Sequence, residues 1–124
     1  MILFMMNYKQ KIGQYGENLA VEYLNRKNYL IIGRNLRASY QEIDIIAKVK
    51  EKTIIIEVKT RVSNSPGLAE ENFSRRKINN LMRALKLYAL KNEIDPDEIQ
   101  LDLITIDINR LNKIANIKHY KDVY

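Results

Sequence analysis

The sequence predicts an α/β domain in which one helix precedes three strands and a second helix precedes a fourth. Three observations carry that order. Apolar residues recur at helical spacing over residues 8–27 and again over 70–91. Three runs rich in β-branched residues lie between these segments, within residues 30–60. A last run, 99–108, is apolar on both faces, which is the pattern of an interior strand. A chain of 124 residues suits one domain with one core, so a single domain over 1–124 is expected.

The first helix places Ile12, Leu19, Ala20, Tyr23 and Leu24 on one face, with Gly16 in the same series. Gly13 and Gly16 are poor helix formers, and on or beside a packing face they would let the helix come close to a sheet. Asn28 ends the helix. Strands follow over 30–37, 43–49 and 53–60, and residues 62–68 read as a loop, with Ser65 and Pro66 suited to cap and open a helix. The second helix, 70–91, buries Ile78, Leu81, Met82, Leu85 and Ala89. Its other faces carry Arg75, Arg76, Lys77, Arg83, Lys86 and Lys91. Asp95-Pro96-Asp97 is a turn before the fourth strand, and residues 114–124 add a short edge strand. The apolar start, residues 1–7, is too short to cross a bilayer and lacks the basic region of a signal peptide, so a disordered tail and no membrane partner are expected.

Composition excludes several classes. The chain has no cysteine, which removes disulfide scaffolds and cysteine zinc sites and is compatible with a reducing, cytoplasmic compartment. His119 is the one histidine, so a Ser-His-Asp hydrolase and a histidine-rich metal site are disfavoured, and no partner or role for it is legible. The net charge of +6 suits a polyanionic partner such as nucleic acid.

The second and third strands carry Glu42, Asp44, Glu57 and Lys59 inside apolar runs. Side chains alternate across a strand, so Glu42 shares a face with Asp44, and Glu57 with Lys59. If the strands join through a two-residue loop at Lys50 and Glu51, Asp44 lies opposite Glu57 and Glu42 opposite Lys59. A three-residue loop without a bulge would put Asp44 and Glu57 on opposite faces. Close carboxylates repel unless a proton or a cation lies between them, and oxygen ligands suit a hard divalent ion such as Mg²⁺. Such an ion can activate water and neutralise a phosphate oxygen, while Lys59 stabilises the charge that develops on phosphorus. The pattern therefore points to phosphodiester hydrolysis at a sheet edge. The competing reading makes Glu42–Lys59 and Asp44–Lys48 ion pairs on a solvated face. Against it, Ile54, Ile55 and Ile56 immediately precede Glu57 and look buried on both faces.

At these residues the chain resembles the YraN family, which belongs to the PD-(D/E)XK restriction-endonuclease-like superfamily, and its first half is similar to archaeal Holliday-junction resolvases. The resemblance rests on Gly13, Gly16-Glu17, Ala20, Tyr23-Leu24, Arg34-Asn-Leu-Arg37, Glu42-Ile-Asp-Ile-Ile-Ala47 and Glu57-Val-Lys-Thr-Arg61. It implies a restriction-endonuclease-like core, α-β-β-β-α-β, with a mixed central sheet flanked by helices. It also implies metal ligation by Asp44 and Glu57, a catalytic Lys59, an accessory Glu17 beside Glu42, and Mg²⁺ (Mn²⁺ as an alternative) as cofactor. The substrate class it implies is DNA, branched or repair DNA included, and it leaves a homodimer open. The chain departs from the family in having Gln41 before Glu-Ile-Asp and Gln100-Leu-Asp102 in the fourth strand. Arg75, Arg76 and Lys77 follow the catalytic strand and are expected to hold backbone phosphates. A catalytically silent nucleic-acid-binding module and a protein-interaction domain are the rival functions on this fold.

Overall fold

Helix α1 (Tyr8–Arg26) opens the fold, and its register is set by Gly16, Ala20 and Leu24, which are buried at a spacing of four. Asn28 ends it in a left-handed conformation, φ 67°, and the Tyr29 N–H returns to the Leu24 carbonyl at 3.0 Å. Strands β1 (Leu30–Ala38), β2 (Gln41–Val49) and β3 (Lys52–Ser63) follow, then α2 (Arg75–Lys91), a short 3₁₀ turn (Pro96–Glu98), β4 (Ile99–Asn109) and β5 (Ile114–Tyr120). The computed structural model describes residues 8–38, 40–63 and 74–124. The expected tail at 1–7, the Ser65–Pro66 helix start and the first residues expected of α2 lie outside these. Val62 and Ser63, expected in a loop, extend β3 instead.

The five strands form one sheet in the order β1-β2-β3-β4-β5. Only β3 and β4 are parallel, and every other neighbouring pair is antiparallel. The sheet is therefore mixed, with α1 on one face and α2 on the other, as the sequence predicts. On the α1 face Ala20 and Leu24 pack with Ile45, Ala47, Ile54, Ile56, Ile104 and Ile106. On the α2 face Leu81, Ala84, Leu85 and Ala89 pack with Ile43, Ile46, Ile55, Ile99 and Leu101. Strand β4 is almost wholly buried because it lies between β3 and the β5 edge. Helix α2 (Arg75–Lys91) is capped by Ser74, whose hydroxyl oxygen accepts from the Lys77 N–H at 3.2 Å.

The two glycines of α1 have different roles. A Cβ built on Gly16 would overlap the hydroxyl of Thr60 on β3, so this glycine permits a close approach of helix to sheet. A Cβ on Gly13 would meet nothing within 4 Å among the described residues, so the close packing expected there is not found among them. Among the described residues, no helix is long and apolar enough to cross a membrane.

Helix propensity alone would favour alanine at position 16 by about 1 kcal/mol. Overlap with Thr60 is expected to outweigh that, so Gly16→Ala should lose about 1–3 kcal/mol in urea denaturation. Thr60→Ala in the same chain should recover part of the loss. A Gly16→Ala protein as stable as the wild type would remove the close-approach argument.

Candidate functional site

The β2–β3 hairpin turns through two residues, with Val49 opposite Lys52 and Lys50 left-handed at φ 56°. This is the even register, in which a continued ladder would put Asp44 and Glu57 on one side. The ladder pairs Ile45 with Ile56 and goes no further toward Asp44. Beyond that point β2 remains paired with β1 as far as Gln41, while β3 continues along β4 as far as Ser63. The two hairpin strands therefore separate. At the split the Asp44 carboxylate takes the place of a ladder acceptor, and the Val58 N–H donates to its Oδ2 at 2.9 Å. Strand β2 turns there, since Ile43 packs on the α2 face and Ile45 on the α1 face. Strict alternation would have placed both on the same face.

Asp44 consequently meets groups from both layers. From the α1 side comes Glu17, one residue after the glycine that seats the helix on β3. Ligand oxygens of Glu17, Glu42 and Asp44 lie within 4.8 Å of one another. From the α2 side comes Glu57, which is 3% exposed and close enough to Asp44 to share a hydrogen bond with it. Two ammonium groups face Glu57 Oε2: Lys59 Nζ at 3.9 Å and Lys77 Nζ at 3.3 Å. Burial, then the Asp44 charge, push the Glu57 carboxyl up to about 8 against the pull of both lysines. Burial and Asp44 likewise raise Glu17 to about 7, opposed by the Arg34 guanidinium 3.7 Å away.

The expected residues Glu17, Glu42, Asp44, Glu57 and Lys59 are thus brought together. The basic run is divided. Lys77 points into the site, while Arg75 and Arg76 are exposed, Arg75 beside Ile78 and the C-terminal Val123 and Tyr124. Sequence reasoning missed Asn35, whose side-chain amide, with its nitrogen turned inward, lies 3.2 Å from Glu42 Oε1 and 3.1 Å from Glu17 Oε1. Its signal was its type, since Asn35 sits at φ 52°, a conformation that favours asparagine over bulkier residues. Arg34 and the second lysine, Lys77, were also missed as neighbours of the carboxylates.

His119 does have partners, contrary to the sequence reading. Its Nε2 lies 2.7 Å from Asp102 Oδ2, and its Nδ1 lies 3.1 Å from the Tyr23 hydroxyl. Asp102 is fully buried and also accepts from Gln100 and from the Asp122 N–H, at 2.7 and 3.0 Å. Burial alone would raise its carboxyl, but the bonds from His119, Asp122 and Gln100 outweigh that and hold it below the usual range. The network ties β4, β5 and α1 together, so the fourth-strand aspartate fastens the fold.

The site's chemistry fits a hard cation. Glu17, Glu42 and Asp44 bring ligand oxygens together, Glu57 adjoins Asp44, and Glu57 Oε1 is buried with no hydrogen-bond partner among the described residues. A divalent ion beside Asp44 and Glu57 would offset the charge that burial and Asp44 make costly on Glu57.

Comparison with known proteins adds the relatives. Residues 16–106 match the family described as Uncharacterised protein family UPF0102. A UPF0102 protein of Clostridium botulinum (strain Hall) is 38% identical over 121 residues, which cover 96% of this chain and 98% of the relative. A UPF0102 protein of Persephonella marina is 36% identical over 104 residues, 84% and 90% of the two chains. The span matched by the family includes all four carboxylates and both lysines of the site.

The raised carboxyls predict a pH dependence with a definite sign. Glu57 keeps its proton in the folded chain over a window in which the unfolded chain, with an ordinary value of 4.5, has lost it. Metal-free stability should therefore fall as pH rises from about 4.5 to about 8, the interval in which the native state binds more protons. Urea denaturation in a chelator should show that fall in wild type and a smaller one in Glu57→Gln. Identical pH profiles for the two proteins would mean that Glu57 ionises normally.

Proposed function

We propose that this chain, which belongs to the UPF0102 (YraN) family, is a metal-dependent nuclease that hydrolyses phosphodiester bonds of DNA. The observation that carries the reading is the convergence on one sheet split of Glu17 from α1, Glu42 and Asp44 from β2, Glu57 and Lys59 from β3, and Lys77 from α2. A structural ion-pair network does not account for this set. Among the described residues the acids Glu17, Glu42, Asp44 and Glu57 outnumber the cations Arg34, Lys59 and Lys77, and the most buried acid is left with a raised affinity for a proton.

Asp44 and Glu57 would hold the cation, Mg²⁺ or Mn²⁺, with Glu17 and Glu42 close enough to bind it directly or through water. When bound, the ion supplies Lewis-acid charge that lowers the pKa of a water and neutralises a phosphate oxygen. The residues of the chain perform the rest. Hydrolysis forms a bond between a water oxygen and phosphorus and breaks the bond from phosphorus to one sugar oxygen, so negative charge builds on the phosphoryl oxygens. The Lys59 side chain is 31% exposed and Lys77 29%, so each ammonium faces Glu57 on one side and can face phosphate on the other. Asn35 and Arg34 hold Glu42 and Glu17 in place beside the reacting group. Arg75 and Arg76, exposed at the start of α2, would hold backbone phosphates further along the DNA.

Two measurements test this. Calorimetric titration of Mg²⁺ or Mn²⁺ should show a site in wild type that Asp44→Asn loses. Cleavage of single-stranded, duplex and branched DNA should require the metal and fall by about a hundredfold or more in Lys59→Ala, the scale for removing one transition-state charge stabiliser. A wild type that binds no divalent metal and cuts none of these DNAs would leave a silent nucleic-acid-binding or protein-interaction domain as the better description.

A further inference from the structure

Gly13 lies in the interior of α1, where a glycine weakens a helix relative to alanine. Glycines are retained in helices for two structural reasons, and neither applies here. The residue does not have a positive φ, and a Cβ would find open space, with no heavy atom of the described residues within 4 Å. Gly16, one turn further along the same helix, has the packing reason that Gly13 lacks.

The open space is a groove of about 320 Å³, lined by Gln10, Gly13, Gln14, Glu17 and Asn35. It runs along the helix surface and ends on Glu17 and Asn35, two of the groups that surround Asp44. Among the described residues that line it, Glu17 is the only ionisable one, and Gln10 and Gln14 offer side-chain amides that both donate and accept hydrogen bonds. A wall of this kind suits a chain of sugar and phosphate oxygens better than it suits an apolar ligand or a free anion.

We propose that this groove seats the nucleotide adjoining the scissile phosphate, and that Gly13 is a glycine so that the sugar–phosphate chain can lie against the backbone of α1. The inference rests on the nuclease reading of the adjacent carboxylates and deepens it by stating the path of one strand. Gly13 is a substrate-positioning residue here. It supplies shape, and the side-chain amides of Gln10 and Gln14 supply the polar contacts. The path continues the proposed metal centre outward along α1, on the side of the site away from α2.

Substitution at position 13 tests this because stability and function should move in opposite directions. Gly13→Ala and Gly13→Leu fill solvent space and improve helix propensity, so both should raise the unfolding temperature by about 2–8 °C, the shift expected for a gain near 1 kcal/mol in a domain of this size. In an Asp44→Asn background, where substrate is not consumed, leucine should weaken binding of a labelled DNA strand by about tenfold or more, the scale of one or two lost hydrogen bonds to a charged group. Mn²⁺ affinity, measured in the wild-type background, should not change with leucine. A stable Gly13→Leu protein that binds and cuts DNA like wild type overturns the groove while leaving the nuclease reading intact. An alanine variant with a lowered unfolding temperature shows that the glycine is structural and also overturns it. Failure of the nuclease reading is seen separately, in a wild type that binds and cuts no DNA, and it removes the groove proposal as well.

Discussion

The acceptance of the Val58 N–H by the Asp44 carboxylate is the interaction on which the rest of the site depends. It satisfies a β3 donor that would otherwise seek a β2 carbonyl, and so permits the two strands to part without leaving that amide unpaired. Once they part, β2 can turn its side chains from one core to the other, with Ile45 in the α1 layer and Ile43 in the α2 layer. The turn places Asp44 where Glu17, on α1, and Glu57, on the α2 face of β3, can both reach it. A continuous ladder would have kept the two helix layers, and their charged residues, apart.

What holds the acids together is therefore geometry rather than attraction. The apolar run Ile54–Ile56 and the interior strand β4 keep Glu57 dry, and Gly16 lets α1 sit low enough on Thr60 to bring Glu17 beside Asp44. Placing a carboxylate in such surroundings costs several kcal/mol when it is uncompensated. Lys59 and Lys77 compensate only in part, since Glu57 still binds a proton more tightly than an ordinary glutamate. The fold thus maintains a cluster that it could make more stable by losing a charge. Such an arrangement is expected where a bound cation completes the site. Fold strength is secured elsewhere, in the two apolar layers and in the Tyr23–His119–Asp102 network, whose histidine does bind its carboxylate partner directly.

The features legible in the sequence were those governed by local periodicity. Both helices, the four core strands and the β5 edge follow from spacing, and the two-residue turn at Lys50 and Glu51 sets the register that runs as far as Ile45 opposite Ile56, next to Asp44 and Glu57. Contacts that depend on where separate elements meet were not legible. Lys77 read as one of three equivalent cations, and only the seating of α2 after its Ser74 cap turns it toward Glu57 while Arg75 points away. His119 and Tyr23 are 96 positions apart and meet because β5 joins the sheet beside β4 under α1. Gly13 and Gly16 look alike in sequence, and only the position of Thr60 distinguishes them. The break of alternation at Asp44 was hidden too, because strand patterning alone cannot show where a ladder ends.

The central claim is that the parted strands hold a divalent cation between Asp44 and Glu57. Crystals soaked in Mn²⁺ and measured at the manganese absorption edge test it most directly, because anomalous scattering locates the ion without reference to activity. The account predicts one strong peak within coordinating distance, about 2.0–2.6 Å, of carboxylate oxygens of Asp44 and Glu57. It also predicts that Lys77 Nζ moves off Glu57 Oε2 as the ion takes its place. A map with no peak at the split, and with Glu57 still between Asp44 and the two lysines, would contradict it.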